Sequence, residues 1–178
     1  MPIGGRSRTM GDVPPGPPTL PTQSEGTPMK TKHQPATLRR IADVEPFTTC
    51  TDEELAIVAS NTWDHRAPAG SALTEEGRPG REWLVIVRGT AVVRVGTSEV
   101  ARLGPGDVVG EVALLDQGAR TATVVAETPV EALVASTAEF DRILARVPAV
   151  SRAMLVGLAR RLRSADDHLL AAGLAATG

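Results

Sequence analysis

Between Asn61 and Ser136 glycine or proline interrupts the chain every several residues, and the runs between are short and rich in β-branched residues. That punctuation constrains the fold more than any other feature, because tight turns this close together connect strands more readily than helices. Strands are expected at Trp63–Ala67, Ala72–Thr74, Trp83–Val87, Ala91–Val95, Val100–Leu103, Val108–Val109, Thr121–Ala126 and Val130–Ala135. The turns between them include Pro68-Ala69-Gly70, Gly77-Arg78-Pro79-Gly80, Arg88-Gly89-Thr90, Gly96-Thr97-Ser98 and Gly104-Pro105-Gly106-Asp107. Many short strands joined this way imply a sandwich or a jelly-roll barrel. The expected class is mainly β with flanking helices: an eight-stranded jelly-roll-like β-barrel, N-terminal helices and a long C-terminal helix.

The helices announce themselves by their caps. Leu38, Ile41 and Val44 share one helical face, and Phe47 follows as a core anchor. Thr51-Asp52-Glu53-Glu54 is a capping box that predicts a helix from about Asp52 to Ser60, with Leu55 and Val58 inward. Ser136-Thr137-Ala138-Glu139 is a second box, opening a short helix anchored by Phe140, Ile143 and Leu144. The Val147-Pro148 step ends that helix, and Pro148 suits the first turn of the next. The final helix should run from Pro148 to about Ala172. Along it Leu155, Leu158, Leu162, Ala165 and Leu169 follow a 3-4-3-4 spacing, an apolar seam suited to pairing across a dimer or to covering the chain's own barrel. Val150 and Met154 widen that surface.

Chemistry concentrates in Gly110–Ala126. Gly110 lets backbone approach a ligand closely. The amides of Val112, Ala113 and Leu114 would open a short helix, whose start favours a negative group. Arg120 adds a planar fork suited to phosphate oxygens. Glu111 is badly placed for phosphate but well placed for hydroxyls, so a ligand with both a phosphate and a sugar hydroxyl satisfies the pair.

Gly110-Glu111-Val112-Ala113-Leu114-Leu115, followed after four residues by Arg120-Thr121-Ala122-Thr123-Val124, resembles the phosphate-binding cassette of the cyclic nucleotide-binding domain family. That family includes bacterial cyclic-AMP receptor proteins and protein kinase A regulatory subunits. The resemblance runs from about Asp43 to about Ala172. It implies a ligand site built from Val109, Gly110, Glu111, Val112, Ala113, Arg120 and Thr121, with Arg120 on the phosphate and Glu111 on the ribose 2'-hydroxyl. Thr121 matches a position whose hydroxyl helps hold phosphate and, in part of the family, goes with cyclic-GMP preference. Arg160-Arg161-Leu162 is similar to the lid of the receptor-protein branch, so Leu162 would pack on the base and Arg161 would reach Glu111. Where that branch carries a Thr-Ser pair for the purine amine, this chain has Ala165-Asp166.

The implied organisation is a Pro-rich disordered tail over 1–36, a cyclic nucleotide-binding domain over 37–146, and a lid or dimerisation helix with its tail over 147–178. More than half of the 14 prolines fall in the tail, and Met10 and Met29 offer later translation starts. At 178 residues the chain holds one sizeable core, and its aromatic content of 2% makes that core aliphatic. The net charge of -2 gives no overall case for nucleic acid or an anionic membrane. The single cysteine, Cys50, fits a reducing compartment, no segment looks secretory or membrane-spanning, and the expected location is cytoplasmic. His33, His65 and His168 are dispersed, so neither a metal site nor catalysis is expected. The expected function is a stand-alone sensor for cyclic AMP, with cyclic GMP the second candidate. It would signal through its last helix to an unknown effector protein, as a homodimer through that helix, with no DNA-binding domain and no direct contact with nucleic acid or membrane. The alternative is a dimerisation or docking module of the same fold that binds no nucleotide.

Overall fold

A computed structural model describes the backbone of residues 41–175 and the side chains of residues 41–166. The expectations for the 1–36 tail and for Leu38 and Leu169 fall outside the described backbone or side chains. In chain order the elements are α1 (Asp52–Ser60), β1 (Trp63–Ala67), β2 (Ala72–Thr74), β3 (Glu82–Arg88), β4 (Ala91–Val95), β5 (Ser98–Leu103), β6 (Val108–Val109), α2 (Glu111–Leu115), β7 (Thr123–Ala126), β8 (Val130–Ser136), α3 (Thr137–Arg146) and α4 (Pro148–Ala175). The strands form two four-stranded antiparallel sheets, ordered β1-β8-β3-β6 and β2-β7-β4-β5.

The two sheets are not closed into a barrel. The Gly104–Asp107 turn carries the chain from β5, at one edge of the second sheet, to β6, at one edge of the first. β6 is only two residues long and pairs with β3 alone, at Leu84↔Val109 and Val85↔Val108, so it cannot bridge the gap to a further strand. The eight expected strands are present, and the architecture is a sandwich with open edges.

Alternation along β3 and β8 explains how one sheet serves two cores. Leu84 and Ile86 of β3, with Ala132 and Val134 of β8, face the opposite sheet and pack with Trp63, Ala91, Val109 and Val124. Trp83 and Val85, with Leu133 and Ala135, face the other way and pack under the helices against Phe47, Val58, Phe140 and Ile143. A strand covered on both faces needs a continuous apolar run, and Trp83-Leu84-Val85-Ile86-Val87 is one.

Both capping boxes form. In α1, Glu54 N–H donates to Thr51 Oγ1 at 3.2 Å, and Thr51 N–H donates to Glu54 Oε2 at 2.9 Å. In α3, Ser136 N–H and Oγ–H both donate to Glu139 Oε2, at 3.0 and 2.7 Å. The second box joins the end of β8 to α3 without an intervening loop. Thr137 N–H also donates to Arg81 O at 3.2 Å, which ties α3 to the start of β3.

α4 divides along its length. Val150 and Met154 are buried in the helix-side core, whereas Leu155, Val156 and Leu162 are 67%, 42% and 64% exposed. Of the seam, Leu155 and Leu162 are therefore exposed and Leu158 is half-buried. At 28 residues the helix is about 42 Å long. Among the described residues no helix is long and apolar enough to cross a membrane.

Candidate functional site

The site is assembled where three segments meet: the β6–α2 junction, the strand approach after α2, and the loop between β2 and β3. Gly110 turns the chain from β6 into α2 with φ +87°, a left-handed conformation that an L side chain adopts only with strain. Space forbids a side chain there too. A Cβ on Gly110 would overlap Arg120 Nη1 and lie 2.8 Å from Glu82 O.

Arg120 is drawn in by its backbone before its side chain acts. Its N–H donates to Arg78 O at 2.8 Å, its carbonyl accepts from Gly77 N–H at 2.9 Å, and Ala119 bridges to Pro79. The β2–β3 loop thus clamps the residue from both sides. From that anchor the guanidinium turns inward, where Nη1 donates to Gly110 O at 3.0 Å and Nη2 to Glu82 O at 2.7 Å. Arg120 is 8% exposed. Burial pulls its pKa below the usual arginine range, while the Glu82 and then the Glu111 carboxylates push back. It remains a cation. A guanidinium has five N–H donors, and two carbonyls leave about three for an anion.

Glu111, the first residue of α2, is 2% exposed. Its Oε1 lies 2.6 Å from Arg161 Nη1, which reaches across from α4. That contact is an ion pair without hydrogen-bond alignment, and Oε1 accepts no hydrogen bond. A buried carboxylate with unused acceptor capacity can take a hydroxyl. Ala113 and Leu114 are buried behind the helix start, and Gly80 comes so close to Ala113 that a Cβ there would collide with it.

The structure therefore brings together Val109, Gly110, Glu111, Ala113, Arg120 and Arg161, with Val112 half-buried on the first turn of α2. Thr121 follows Arg120 but is exposed. Leu162 is exposed and belongs to neither core cluster. Two residues that the sequence reading passed over also line the site: Gly80, by its approach to Ala113, and Glu82, whose carbonyl holds Arg120. An acidic residue opening the apolar run of β3 was the available signal for Glu82. Elsewhere, burial and then the Glu54 carboxylate push the Cys50 thiol up to about 11, so it stays protonated. Among the described residues no three His, Cys, Asp or Glu converge as a metal site would require.

The family model for the cyclic nucleotide-binding domain matches residues 64–147. The cyclic AMP receptor protein of Thermus thermophilus is 32% identical over 122 residues, which are 66% of this chain and 56% of that protein. The acetyltransferase Pat of Mycolicibacterium smegmatis is 34% identical over 108 residues, 58% of this chain and 32% of that protein. The crystal structure of Thermus thermophilus catabolite activator protein superposes with a TM-score of 0.62 at 31% identity, covering 70% of this chain and 61% of that one. The chain thus spans about half and about a third of the two relatives' lengths. The match takes in β3, the β6–α2 junction, Arg120 and β8, the segments that meet at this site, and over residues 64–147 the chain carries a domain of the cyclic nucleotide-binding domain family.

Proposed function

We propose that the chain binds cyclic AMP, with cyclic GMP as the competing ligand, and reports occupancy through α4. The observation that carries the reading is Arg120: a buried cation with unused donors, held beside a buried carboxylate that has unused acceptor capacity. The phosphodiester would take the remaining donors of Arg120 and the first amides of α2, with Val109 and Gly110 forming the approach and Val112 and Ala113 the turn beneath. The ribose 2'-hydroxyl would donate to Glu111, the acceptor already addressed by Arg161. Binding there rearranges the Glu111–Arg161 pair, the polar link between α2 and α4. A ligand shifts a two-state element only by contacts that differ between the states, and this pair supplies one. Thr121 and Leu162, both exposed, would close on phosphate and base. Protein so built acts in the cytoplasm, without metal and without catalysis of its own.

Titration calorimetry with cyclic AMP and with cyclic GMP on folded protein tests the reading. Heat of binding with cyclic AMP at the lower concentration is expected; no heat with either would overturn it. The second reading, a docking module with no nucleotide, draws on the Glu111–Arg161 pair, which engages the carboxylate that a ribose hydroxyl would address. Ala165 and Asp166 also leave the purine amine without the hydroxyl pair of the receptor-protein branch.

The exposed seam of α4 is proposed as a homodimer contact, the surface through which an effector protein reads the state of the site. Leu162→Asp should leave folding intact, because Leu162 is 64% exposed, and should convert dimer to monomer. Sedimentation velocity of the two proteins checks this, and identical sedimentation places the interface elsewhere.

A further inference from the structure

The β4–β5 hairpin overhangs the sheet that carries it. β7 begins at Thr123, whose register partner on β4 is Arg94, so Val95 and the turn at Gly96-Thr97 extend beyond the last paired residue. The hairpin also borders the site, because Val93 and Leu103 pack against the inter-sheet cluster that contains Val109, the residue before Gly110. What catches the overhang is Glu76 from the β2–β3 loop, whose Oε2 accepts from Gly96 N–H at 2.7 Å. The bond is short and charge-assisted. Among the described residues no other side chain bonds to that turn.

Glu76 is at the same time a rung in the attachment of Arg120. Thr74 Oγ1 donates to Ala122 O at 3.1 Å, Glu76 N–H to Thr123 Oγ1 at 3.0 Å and Gly77 N–H to Arg120 O at 2.9 Å, while Arg120 N–H donates to Arg78 O at 2.8 Å. The loop from Thr74 to Arg78 thus grips the segment Arg120–Thr123 along its length, and the Glu75–Arg78 ion pair at 3.3 Å braces the loop itself. Glu76 therefore holds the Arg120 segment by its backbone and the hairpin by its side chain.

We propose that Glu76 is a positioning residue for nucleotide binding: by tying the Gly96 turn to the segment that carries Arg120, it fixes the gap between the hairpin and the Arg120 guanidinium. A ligand seated on Arg120 and Glu111, as the nucleotide reading above requires, meets the hairpin at a set distance only while that tie holds. Without the tie the overhanging turn frays from the sheet, and binding has to order it again at a cost in affinity.

Calorimetry of the full chain with cyclic AMP compares the unaltered protein with Glu76→Ala and Glu76→Gln. The alanine protein should bind about three- to tenfold more weakly, since the tie transmits no more than the net worth of one hydrogen bond. Glutamine keeps an acceptor oxygen for Gly96 N–H and should recover most of the loss. Hydrogen exchange at the Gly96 amide reads the tie itself, with protection expected to fall in the alanine protein and to return with glutamine. Glu76 is exposed, so both variants should fold, with unfolding midpoints close to that of the unaltered protein. Glu76→Ser serves as a second truncation should the alanine protein not fold. Unchanged affinity in the truncated protein, or equal losses with alanine and glutamine, overturns the positioning role and leaves the nucleotide reading in place. Absence of binding by every protein, the unaltered one included, overturns the nucleotide reading and the role of Glu76 with it.

Discussion

Arg120→Ala is expected to weaken cyclic-nucleotide binding by about 2 to 5 kcal/mol, the range for removing one partner of a desolvated charge pair. Every unit of about 1.4 kcal/mol is tenfold in dissociation constant, so the lower bound already exceeds tenfold. The loss has two sources. The phosphodiester forfeits its cation, and the carbonyls of Gly110 and Glu82 forfeit the donors that hold the β6–α2 junction against β3. Arg120→Lys separates them, because a point charge survives while the fork that spans two carbonyls and a phosphate does not. Calorimetry on both variants measures the effect. Unchanged affinity in the alanine protein would place the phosphate elsewhere.

Trp83→Ala should cost about 3 to 5 kcal/mol of stability, the range for deleting a large aromatic from a closed core. Trp83 is fully buried, with its ring centroid 5.4 Å from that of Phe140. It shares its cluster with Leu114 of α2 and with Val150 and Met154 of α4, so the cavity would loosen α2 and α4 together. Chemical denaturation followed by far-UV circular dichroism measures the shift. Trp83→Phe sharpens the test. The indole Nε1 is buried and makes no hydrogen bond, so phenylalanine removes an unsatisfied donor while keeping most of the apolar volume, and should cost far less than alanine. Equal losses in the two variants would mean that the ring is not packed as described.

How much of this could be read from the sequence depends on the range of the interaction involved. Both capping boxes were legible because a cap is settled within four residues, and both form. Strand positions were legible for the same reason, with ends shifted by up to two residues at β3, β5, β7 and β8. The expectation of a barrel differs from the open sandwich because closure depends on partners far apart in sequence. β6 pairs with β3 and stops after two residues, and nothing within the Val108–Val109 segment states that.

The site divides in the same way. Gly110, Glu111 and Arg120 stand out in sequence as a glycine, an acid and a base on a short segment, and the structure adds the strained φ and the collision that make glycine necessary at 110. The seam on α4 was visible as a spacing, but periodicity could not say whether it faced the sandwich or solvent. Burial of Val150 and Met154 beside exposure of Leu155 and Leu162 answers that.

By itself, then, the sequence determined the strands, the caps, the cassette and hence the class of ligand, because each is written in neighbours a few residues apart. Only the tertiary structure decided that the sheets stay open, that Arg161 reaches Glu111 from fifty residues away, and that Glu82 stands beside Arg120. Those are contacts between segments brought together by sheet pairing and core burial, and a charge at one of them has meaning only once its neighbour across the fold is known.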